Sequence, residues 1–479
     1  MIAKSSTTLK RRAAPLDLPL RLERAGSQPA QLHASLRTAI LEGRLPSGDR
    51  LPSSRNLAAQ LRVPRNVVVA AYEHLLSDGL VEATLGAGTF VAAQLPPGDR
   101  SLVKPTYEVA AIPRAPFALG RTYMDQELLR RLGIAVRRRV LAATGIDRGY
   151  GDPRGNEDLR FQIAAQLGAT RGIRCSVDQI IILNGTQQAL RFCSDALLER
   201  GDHVWFEDPG YPASRTALQD AGVKIVPVPV DEQGFDVSAA KQISARARAV
   251  YVTPSHQFPT GVTMTMNRRI ALLEWARSSD AWIFEDDYNS EFRYAGPPLT
   301  ALAGIDGCER VIYLGTFSKT MFSSLRLAYA VLPARIVRQV VNARASYDRF
   351  PPSFVEGAVA DLMADGFLAA HTRRMRTRYR EARDVVSKIL IEESHGRLSA
   401  NIPDQGLHMI VTVADDPGSE TAKRIRAAAK VESWLLSDTR AAVAGPDGFV
   451  IGFAGHALRD IKTAAQRLAR AARNDRRRK

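Results

Sequence analysis

Residues 314–329 read LGTFSKTMFSSLRLAY, a run of small and apolar residues that contains a single lysine, Lys319. The hydroxyls of Thr316 and Ser318 flank it, and Arg326 follows seven residues later. A lysine in such a run either extends its ammonium group to solvent or is kept out of water for a chemical reason. For a lone lysine, the solvent-exposed case is the commoner one. The rest of the chain decides between the two.

Composition and charge limit the class of protein. With 479 residues the chain has room for about two or three domains. Its net charge of +16 permits contact with nucleic acid without establishing it. The N-terminal stretch lacks the apolar segment of a secretory signal, no apolar run approaches a membrane span, and the three cysteines lack metal-ligand spacing. We therefore predict a cytoplasmic protein with no membrane partner and no metal site.

Two parts of the chain differ in their patterning. Residues 17–92 predict short helices followed by a small hairpin, whereas residues 117–479 alternate short apolar runs with helical stretches, which is typical of an α/β fold. Residues 93–116 contain several prolines and show no sustained periodicity. We interpret them as a linker between two domains.

The N-terminal part has the outline of a winged helix-turn-helix. An apolar helical face, a second helix that begins near Ser53 or Ser54, a third helix with Pro64 in its first turn and a glycine-rich hairpin follow one another. The apolar face of the first helix consists of Leu32, Leu36, Ile40 and Leu41. The alternative interpretation is a small helical packing module with ordinary surface arginines.

The third helix is the one that would read DNA, because in a winged helix-turn-helix its start enters the major groove. Arg65 and Asn66 are then placed to meet base edges, and Arg55 on the second helix is placed to meet phosphate. Gly88 and Thr89 belong to the predicted wing and complete the predicted DNA-binding residues. The predicted partner is an operator in double-stranded DNA.

Residues 43–91 resemble the DNA-binding domain of the GntR family of bacterial regulators over its whole length. The resemblance includes the LPSSR turn, the RN pair at the head of the third helix and the G-x-GTFV wing. One departure lies at Pro64 and Val67, where many members carry Ser and Thr around the RN pair. A lost hydroxyl there would alter base or phosphate preference without abolishing binding.

Lys319 belongs to the α/β part, which holds other residues that suit the same ligand. The apolar run that ends at Phe284 leads into EDDYNSEFRY, and a buried strand that ends in carboxylates commonly delivers them to a ligand. Asp286 and Tyr288 are two residues apart, so on an extended segment they face the same way. A carboxylate that holds a ring N–H, beside a phenol that meets a ring oxygen, suits a pyridinium ring.

A phosphate cradle and a stacking ring accompany this pair. The stretch ILNGTQQAL predicts a strand, a tight turn and a helix start, where Gly185, Thr186 and Gln187 offer backbone N–H groups and side chains to a phosphate. Tyr211 follows another apolar run and is placed to stack on a flat ring. Each feature alone is weak, because a carboxylate at a strand end often caps a helix and a lone tyrosine often only packs.

Together these residues predict a site for pyridoxal 5'-phosphate, abbreviated PLP. This cofactor needs a lysine that forms a Schiff base, a partner for its pyridine nitrogen, a phosphate cradle and a stacking ring. Lys319 would be the lysine, and Thr316 and Arg326 beside it fit as further phosphate ligands. A lysine with this task has a reason to be kept out of water.

The α/β part also resembles fold-type-I aminotransferases over nearly its whole length. Six motifs occur in the order and spacing of that family, namely YGDPRGNEDLR, NGTQQAL, EDPGYP, TPSHQFPTG, EDDYNSEFRY and GTFSKTMFSSLRLAY. The resemblance implies a large and a small domain, a homodimer, and a PLP site in which Lys319 carries the cofactor. It further implies that Asp286 binds the pyridine nitrogen, Tyr288 the ring oxygen, and that Tyr211 stacks on the ring. Tyr150 is similar to the tyrosine that reaches the phosphate of the partner subunit.

A GntR-like head fused to such a domain is the arrangement of the MocR subfamily of regulators, which the chain resembles from end to end. Two positions depart from aminotransferases. Phe258 stands directly before the PTG turn, where those enzymes usually carry an asparagine. Val450 stands where they typically carry the arginine that grips the α-carboxylate of the substrate.

Three functions fit these features. The first is a transcriptional regulator that binds DNA and senses PLP itself, or a small amine, through the cofactor. The second is an aminotransferase with an accessory DNA-binding module, and the third is a DNA-binding protein whose large domain is a PLP-free dimerisation scaffold. Lys319, Asp286 and Tyr288 weigh against the third, and Val450 weighs against the second, because a carboxylate without its cation gains little binding energy for turnover. We therefore expect the regulator, with no catalytic residues and with weak or half transamination at most.

Overall fold

The computed structural model describes residues 22, 26–84, 86–93, 115–144, 149–350, 353–414, 419–442 and 444–476. They belong to two compact units, Met1–Ala111 and Ile112–Lys479. The predicted linker, residues 93–116, lies outside the described residues except at its ends, as does the start of the predicted head. The exact domain boundaries therefore stay predictions. No helix within the described ranges is long and apolar enough to cross a membrane.

The first unit contains the three helices and the hairpin that the sequence predicts. Its elements are α1 (Gln28–Leu41), α2 (Ser54–Leu61), α3 (Arg65–Ser77), β1 (Val81–Thr84) and β2 (Gly88–Val91). Ser27 and Ser53 cap α1 and α2 by accepting hydrogen bonds from backbone N–H groups in the first turn. The strands β1 and β2 pair antiparallel, and apolar side chains of all three helices form one core.

Two details of this unit differ from the sequence-based expectation. Pro64 is the N-cap of α3 and not a residue of its first turn, because its extended backbone places it just outside the helix. Leu41 is 37 % exposed, whereas Leu32, Leu36 and Ile40 are buried. The reason is that Leu41 lies about 100° around α1 from Ile40, at the point where the helix ends.

The second unit is built on an eight-stranded sheet. Its strands are β3 (Ile180–Leu183), β4 (His203–Asp208), β5 (Lys224–Asp231), β6 (Gly234–Phe235), β7 (Ala247–Val252), β8 (Trp282–Asp287), β9 (Val311–Thr316) and β10 (Ala328–Val331). They lie in the order β3-β10-β9-β8-β7-β4-β5-β6. The strands from β9 to β5 in this order run parallel, whereas β10 is antiparallel to both its neighbours and β6 is antiparallel to β5.

Helices cover both faces of this sheet, so its central strands are buried on both sides and read as continuous apolar runs. The helices of this unit up to the small domain are α4 (Gln126–Ala142), α5 (Glu157–Arg171), α6 (Thr186–Leu197), α7 (Pro212–Asp220), α8 (Val237–Ile243), α9 (Met266–Ser278), α10 (Leu302–Asp306), α11 (Val337–Ala345) and α12 (Ser353–Ala364). Alternate residues of each strand enter the two cores, as with Val204 on one side and Trp205 on the other.

A four-stranded antiparallel sheet forms the small domain. Its elements are α13 (Phe367–Glu393), β11 (Leu398–Asn401), β12 (His408–Val413), α14 (Ser419–Ala429), β13 (Trp434–Leu435), β14 (Gly448–Gly452) and α15 (Leu458–Arg476). One face of this sheet packs against α13, α14 and α15 through Met409, Val411, Phe449 and Ile451. The alternate residues lie on the opposite face.

Candidate functional site

A cavity of about 780 Å3 lies in the second unit at the carboxyl ends of the parallel strands. Thr253, Asp286 and Thr316, at or just after the ends of β7, β8 and β9, all line it. Every residue predicted to bind the cofactor lines this cavity except Tyr150. The lining members of that set are Gly185, Thr186, Gln187, Tyr211, Asp286, Tyr288, Thr316, Lys319 and Arg326.

Lys319 lies in the loop that follows β9 and is partly buried in the cavity wall. The loop is held by a hydrogen bond of 3.1 Å from the Ser318 backbone N–H to Thr316 Oγ1. Burial lowers the pKa of the Lys319 ammonium group, and the negative charge of Asp286 acts in the opposite direction. A lowered pKa raises the share of neutral amine, which is the nucleophilic form.

Asp286 presents one free oxygen to the cavity region. Its Oδ2 accepts a hydrogen bond of 2.6 Å from the Tyr251 hydroxyl, whereas its Oδ1 is buried and has no hydrogen-bond partner in the described part of the chain. Burial raises the pKa of this carboxyl group from 3.8 to about 6, while the bond from Tyr251 and the charge of Lys319 act to lower it. A buried acceptor without a donor costs free energy unless a ligand supplies one. A ring N–H is such a donor.

The opposite end of the cavity suits a phosphate. The helix α6 begins at Thr186, and Gly185 is its N-cap. A Cβ atom at Gly185 would lie 2.8 Å from a terminal nitrogen of Arg326, so glycine permits this close approach of the guanidinium group. Backbone N–H groups at a helix start and a guanidinium group together form an anion site.

The three predicted tyrosines occupy different places. The Tyr288 hydroxyl donates a hydrogen bond of 3.1 Å to the His256 carbonyl oxygen. The Tyr211 ring contacts Phe258 edge-on, at 5.3 Å between ring centroids. Tyr150 is 79 % exposed and lies beneath the guanidinium group of Arg349. The predicted role of Tyr150 toward a partner subunit stays a prediction.

Sequence reasoning missed several residues of the cavity. Tyr251 lies inside a buried apolar strand and looks like a packing aromatic, although a buried tyrosine hydroxyl usually needs a partner, which was the available signal. Trp434 and His408 come from the small domain and line the cavity far from the other motifs in sequence. Their places depend on how β12 and β13 pair with β14, and no local pattern shows that pairing.

The predicted DNA-binding residues lie on the first unit. Arg65 is the first residue of α3, and Arg55, Arg65 and Asn66 are exposed. The Arg65 Nε atom donates a hydrogen bond of 3.1 Å to Ser54 Oγ, which ties the start of α3 to the start of α2. Gly88 and Thr89 belong to β2 of the hairpin. Gly88 lies beside the side chain of Arg50.

Comparisons with known proteins match both units. The family described as bacterial regulatory proteins, gntR family, matches residues 29–91, and the family described as aminotransferase class I and II matches residues 122–468. The probable rhizopine catabolism regulatory protein MocR of Rhizobium meliloti is 33 % identical, over 89 % of this chain and 90 % of its own. The pyridoxine biosynthesis transcriptional regulator PdxR of Corynebacterium glutamicum is 31 % identical, over 92 % of this chain and 95 % of its own.

A solved structure matches the second unit. The kynurenine aminotransferase of Pyrococcus horikoshii superposes with a TM-score of 0.67 and 27 % identity, over 75 % of this chain and 90 % of its own. The α/β fold is thus the fold-type-I aminotransferase fold, and along the chain it follows a GntR helix-turn-helix domain. The chain therefore belongs to the MocR type of GntR-family regulators, which join these two domains in this order.

Proposed function

We propose that this protein is a cytoplasmic transcriptional regulator that binds an operator through its N-terminal unit and holds PLP in the cavity around Lys319. The signal is PLP itself, through occupancy of the cavity, or a small amine that acts through the cofactor. One observation carries the proposal. A GntR helix-turn-helix precedes an aminotransferase-like domain whose cavity holds Lys319, Asp286 with a free Oδ1, and Arg326 at a helix start.

The residues of the cavity fit PLP by their chemistry. When bound, PLP supplies a carbonyl carbon that reacts with primary amines and a ring that withdraws electrons. Lys319 offers the amine, and Asp286 Oδ1 offers an acceptor for the ring N–H. Arg326 and the start of α6 would hold the phosphate, and Tyr211 would stack on the ring. Tyr251 holds Asp286 in place by donating a hydrogen bond to its Oδ2.

The names of the relatives support a small-molecule signal. MocR is named for rhizopine catabolism and PdxR for pyridoxine biosynthesis, so each of those regulators is tied to the chemistry of a small molecule. PLP is the phosphorylated aldehyde form of the pyridoxine skeleton. PdxR thus favours PLP occupancy as the signal in this chain, and this option needs no pocket beyond the cofactor residues.

An aminotransferase with an accessory DNA-binding module is the alternative, and Val450 weighs against it. Val450 is fully buried where aminotransferases carry the arginine that grips a substrate carboxylate. Without that cation, turnover of α-amino acids loses transition-state binding energy. Weak or half transamination is compatible with the proposal.

The test of this choice exposes PLP-loaded protein to a panel of common α-amino acids while its near-visible absorption is followed. We expect slow conversion or none. Conversion at a rate in the enzyme range of about 1–10³ per second would favour the alternative.

Ionisation of Asp286 should set a pH dependence of PLP binding. Its pKa is raised to about 6, so the carboxyl group is mostly neutral below that pH and holds a ring N–H more weakly. The affinity of apo-protein for PLP should rise by up to about tenfold between about pH 5 and pH 7, as the carboxylate forms. Titrations of Asp286→Asn at the same pH values serve as the control, because an amide does not ionise. The same rise in both proteins would assign the effect to groups other than Asp286.

An exposed apolar surface supports the proposed homodimer. Ile134, Val140 and Leu141 on α4 and Phe161 on α5 are all at least partly exposed, with Leu141 at 73 %. Apolar side chains gathered on neighbouring helices are typical of protein interfaces. The helices α4 and α5 both pack on α12, so these residues belong to one region of the second unit.

Light scattering should therefore give a particle of twice the chain mass of 52.4 kDa. Leu141→Glu should shift the particle toward the monomer, because a charge placed in an apolar interface is costly to bury. Ile243→Glu is the matched control, since Ile243 is exposed on α8, outside this surface. A monomeric wild-type protein, or equal behaviour of both variants, would contradict the assignment of this surface.

A further inference from the structure

The part of the cavity beside the small domain is lined by rings. Phe258 lies at its centre, with ring centroids 5.3 Å from Tyr211, 5.2 Å from His408 and 6.0 Å from Trp434. The Trp434 ring is nearly parallel to that of Tyr211, at an interplanar angle of 8°. We call these four side chains, Tyr211, Phe258, His408 and Trp434, the aromatic wall.

The face of the small sheet that carries Trp434 and His408 has an uncharged side chain, Val450, beside them. Val450 pairs directly with Trp434 and with Ile410 across β14, so the three side chains share one face of the small sheet. Trp434 and His408 on that face line the cavity. An arginine at position 450 would enter the cavity region from here, and the chain has an apolar side chain instead.

The histidine of the wall supplies no positive charge at neutral pH. Burial lowers the pKa of His408 to about 4, and burial lowers that of the neighbouring His256 well below its usual value. His408 Nε2 lies 3.2 Å from the Pro259 carbonyl oxygen, which a neutral ring satisfies by donating one hydrogen bond. The wall is therefore uncharged and consists of four rings, of which those of Tyr211 and Trp434 are nearly parallel.

Three cationic side chains belong to the described lining of the cavity, and none of them lies on the sheet face that carries Val450. Arg326 contacts Gly185 at the phosphate end, and Lys319 is the amine that meets the cofactor. Arg121 packs its Cβ atom against Gly455 on another part of the lining. Of the three, Arg121 is the one that an experiment has to test as an alternative ligand for a carboxylate.

We propose that the amine accepted by this cavity carries a flat, uncharged body of about one aromatic ring and no carboxylate on the carbon that bears the nitrogen. The inference rests on the proposed function, in which a small amine acts through the cofactor. It adds the chemical nature of the part of the amine molecule that does not react. The aromatic wall buries the body, and the apolar face at Val450 leaves a carboxylate without a cation. The whole cavity, which has to hold PLP together with the amine, is about 780 Å3 and lies within the usual range for small-molecule sites of about 300–1,000 Å3.

Three amines test the proposal on the PLP-loaded full-length protein: 2-phenylethylamine, L-phenylalanine and ethylamine. The first two differ only by the α-carboxylate, and the first and third differ by the ring. Dissociation constants come from calorimetry and from the shift of the near-visible absorption band. We expect 2-phenylethylamine to bind at least about tenfold more tightly than either of the others, since burial of a phenyl ring and removal of an unpaired carboxylate each favour it.

Two variants assign the effect to residues. Val450→Arg should strengthen the binding of L-phenylalanine selectively and leave the dissociation constant of ethylamine unchanged. Trp434→Ala should reduce the advantage of 2-phenylethylamine over ethylamine, and it keeps the test decisive if Val450→Arg does not fold. Quenching of tryptophan fluorescence by 2-phenylethylamine should be lost in Trp434→Phe, because the three other tryptophans are buried in the cores.

Failure of this inference is distinct from failure of the proposed function. If wild-type protein gives no near-visible band with PLP, the proposed function fails. If the band forms and L-phenylalanine binds as tightly as 2-phenylethylamine, or none of the three amines binds, the aromatic-amine proposal alone is overturned. Loss of L-phenylalanine binding in Arg121→Ala would then identify Arg121 as a carboxylate clamp.

Discussion

Lys319→Ala is expected to abolish the near-visible absorption band that PLP gives on the wild-type protein, together with the trapping of the cofactor by borohydride. Among the described residues that line the cavity, Lys319 is the one lysine, so its removal should break the covalent link to the cofactor. The phosphate end formed by Arg326 and α6 remains, and weak non-covalent binding should persist. Spectra of both proteins titrated with PLP measure the effect.

Lys388→Ala is the control for this experiment. Lys388 is an exposed lysine on α13. Its removal tests whether loss of any lysine, and not of Lys319 in particular, weakens the band. We expect the control to keep the full band. An unchanged band in Lys319→Ala, with the borohydride-trapped cofactor found on another lysine by mass spectrometry, would refute the assignment.

Arg65→Ala is expected to cost about 1–3 kcal/mol of affinity for the operator and little for random DNA, because a bidentate contact to a base is lost. Arg65 begins α3 and is exposed, and its bond to Ser54 leaves other guanidinium nitrogens available for a base. Binding isotherms on operator and random duplexes measure the loss of specificity.

Arg55→Ala should behave differently, because Arg55 is assigned to phosphate. It should weaken binding to both duplexes alike and lower the slope of log affinity against log salt by about one. Arg37→Ala is the charge-matched control, because Arg37 is exposed on α1, which carries none of the predicted DNA-binding residues. If Arg65→Ala weakens operator and random DNA equally, the division between base reading and phosphate contact is wrong.

Much of the head was predictable because its signals are local. The serine cap at Ser53 and the glycine-rich turn before β2 act over a few residues, and each has one preferred backbone geometry. Leu41 was misplaced because it follows Ile40 directly and therefore lies about 100° around α1 from the buried face. Pro64 was misplaced by one position because a helix end cannot be located to the residue from periodicity alone.

The cavity was predictable where motifs follow strands. Asp286, Thr316 and Lys319 come at or after strand ends, and parallel strands bring their carboxyl ends to one edge. Tyr251, His408 and Trp434 were not predictable, because their roles depend on contacts between distant segments. Tyr251 reaches Asp286 across the sheet, and Trp434 reaches the cavity only through the pairing of β13 with β14.

Coupling between the two units is the remaining step from binding site to regulation. PLP can change operator affinity only if its affinity for the state that binds DNA differs from its affinity for the state that does not. The coupling is reciprocal, so operator DNA must change the affinity for PLP by the same factor. Both affinities are measurable on the same full-length protein.

The most direct measurement titrates apo-protein with PLP while operator binding and the near-visible band are followed in parallel. We predict that operator affinity changes with the same half-saturation point as the band, and that Lys319→Ala shows neither change. The opposite result is an operator affinity that stays constant while the band saturates, together with conversion of the holo-protein by a common α-amino acid at an enzyme-like rate. That result would contradict regulation through PLP and would make the chain an enzyme that carries a DNA-binding head.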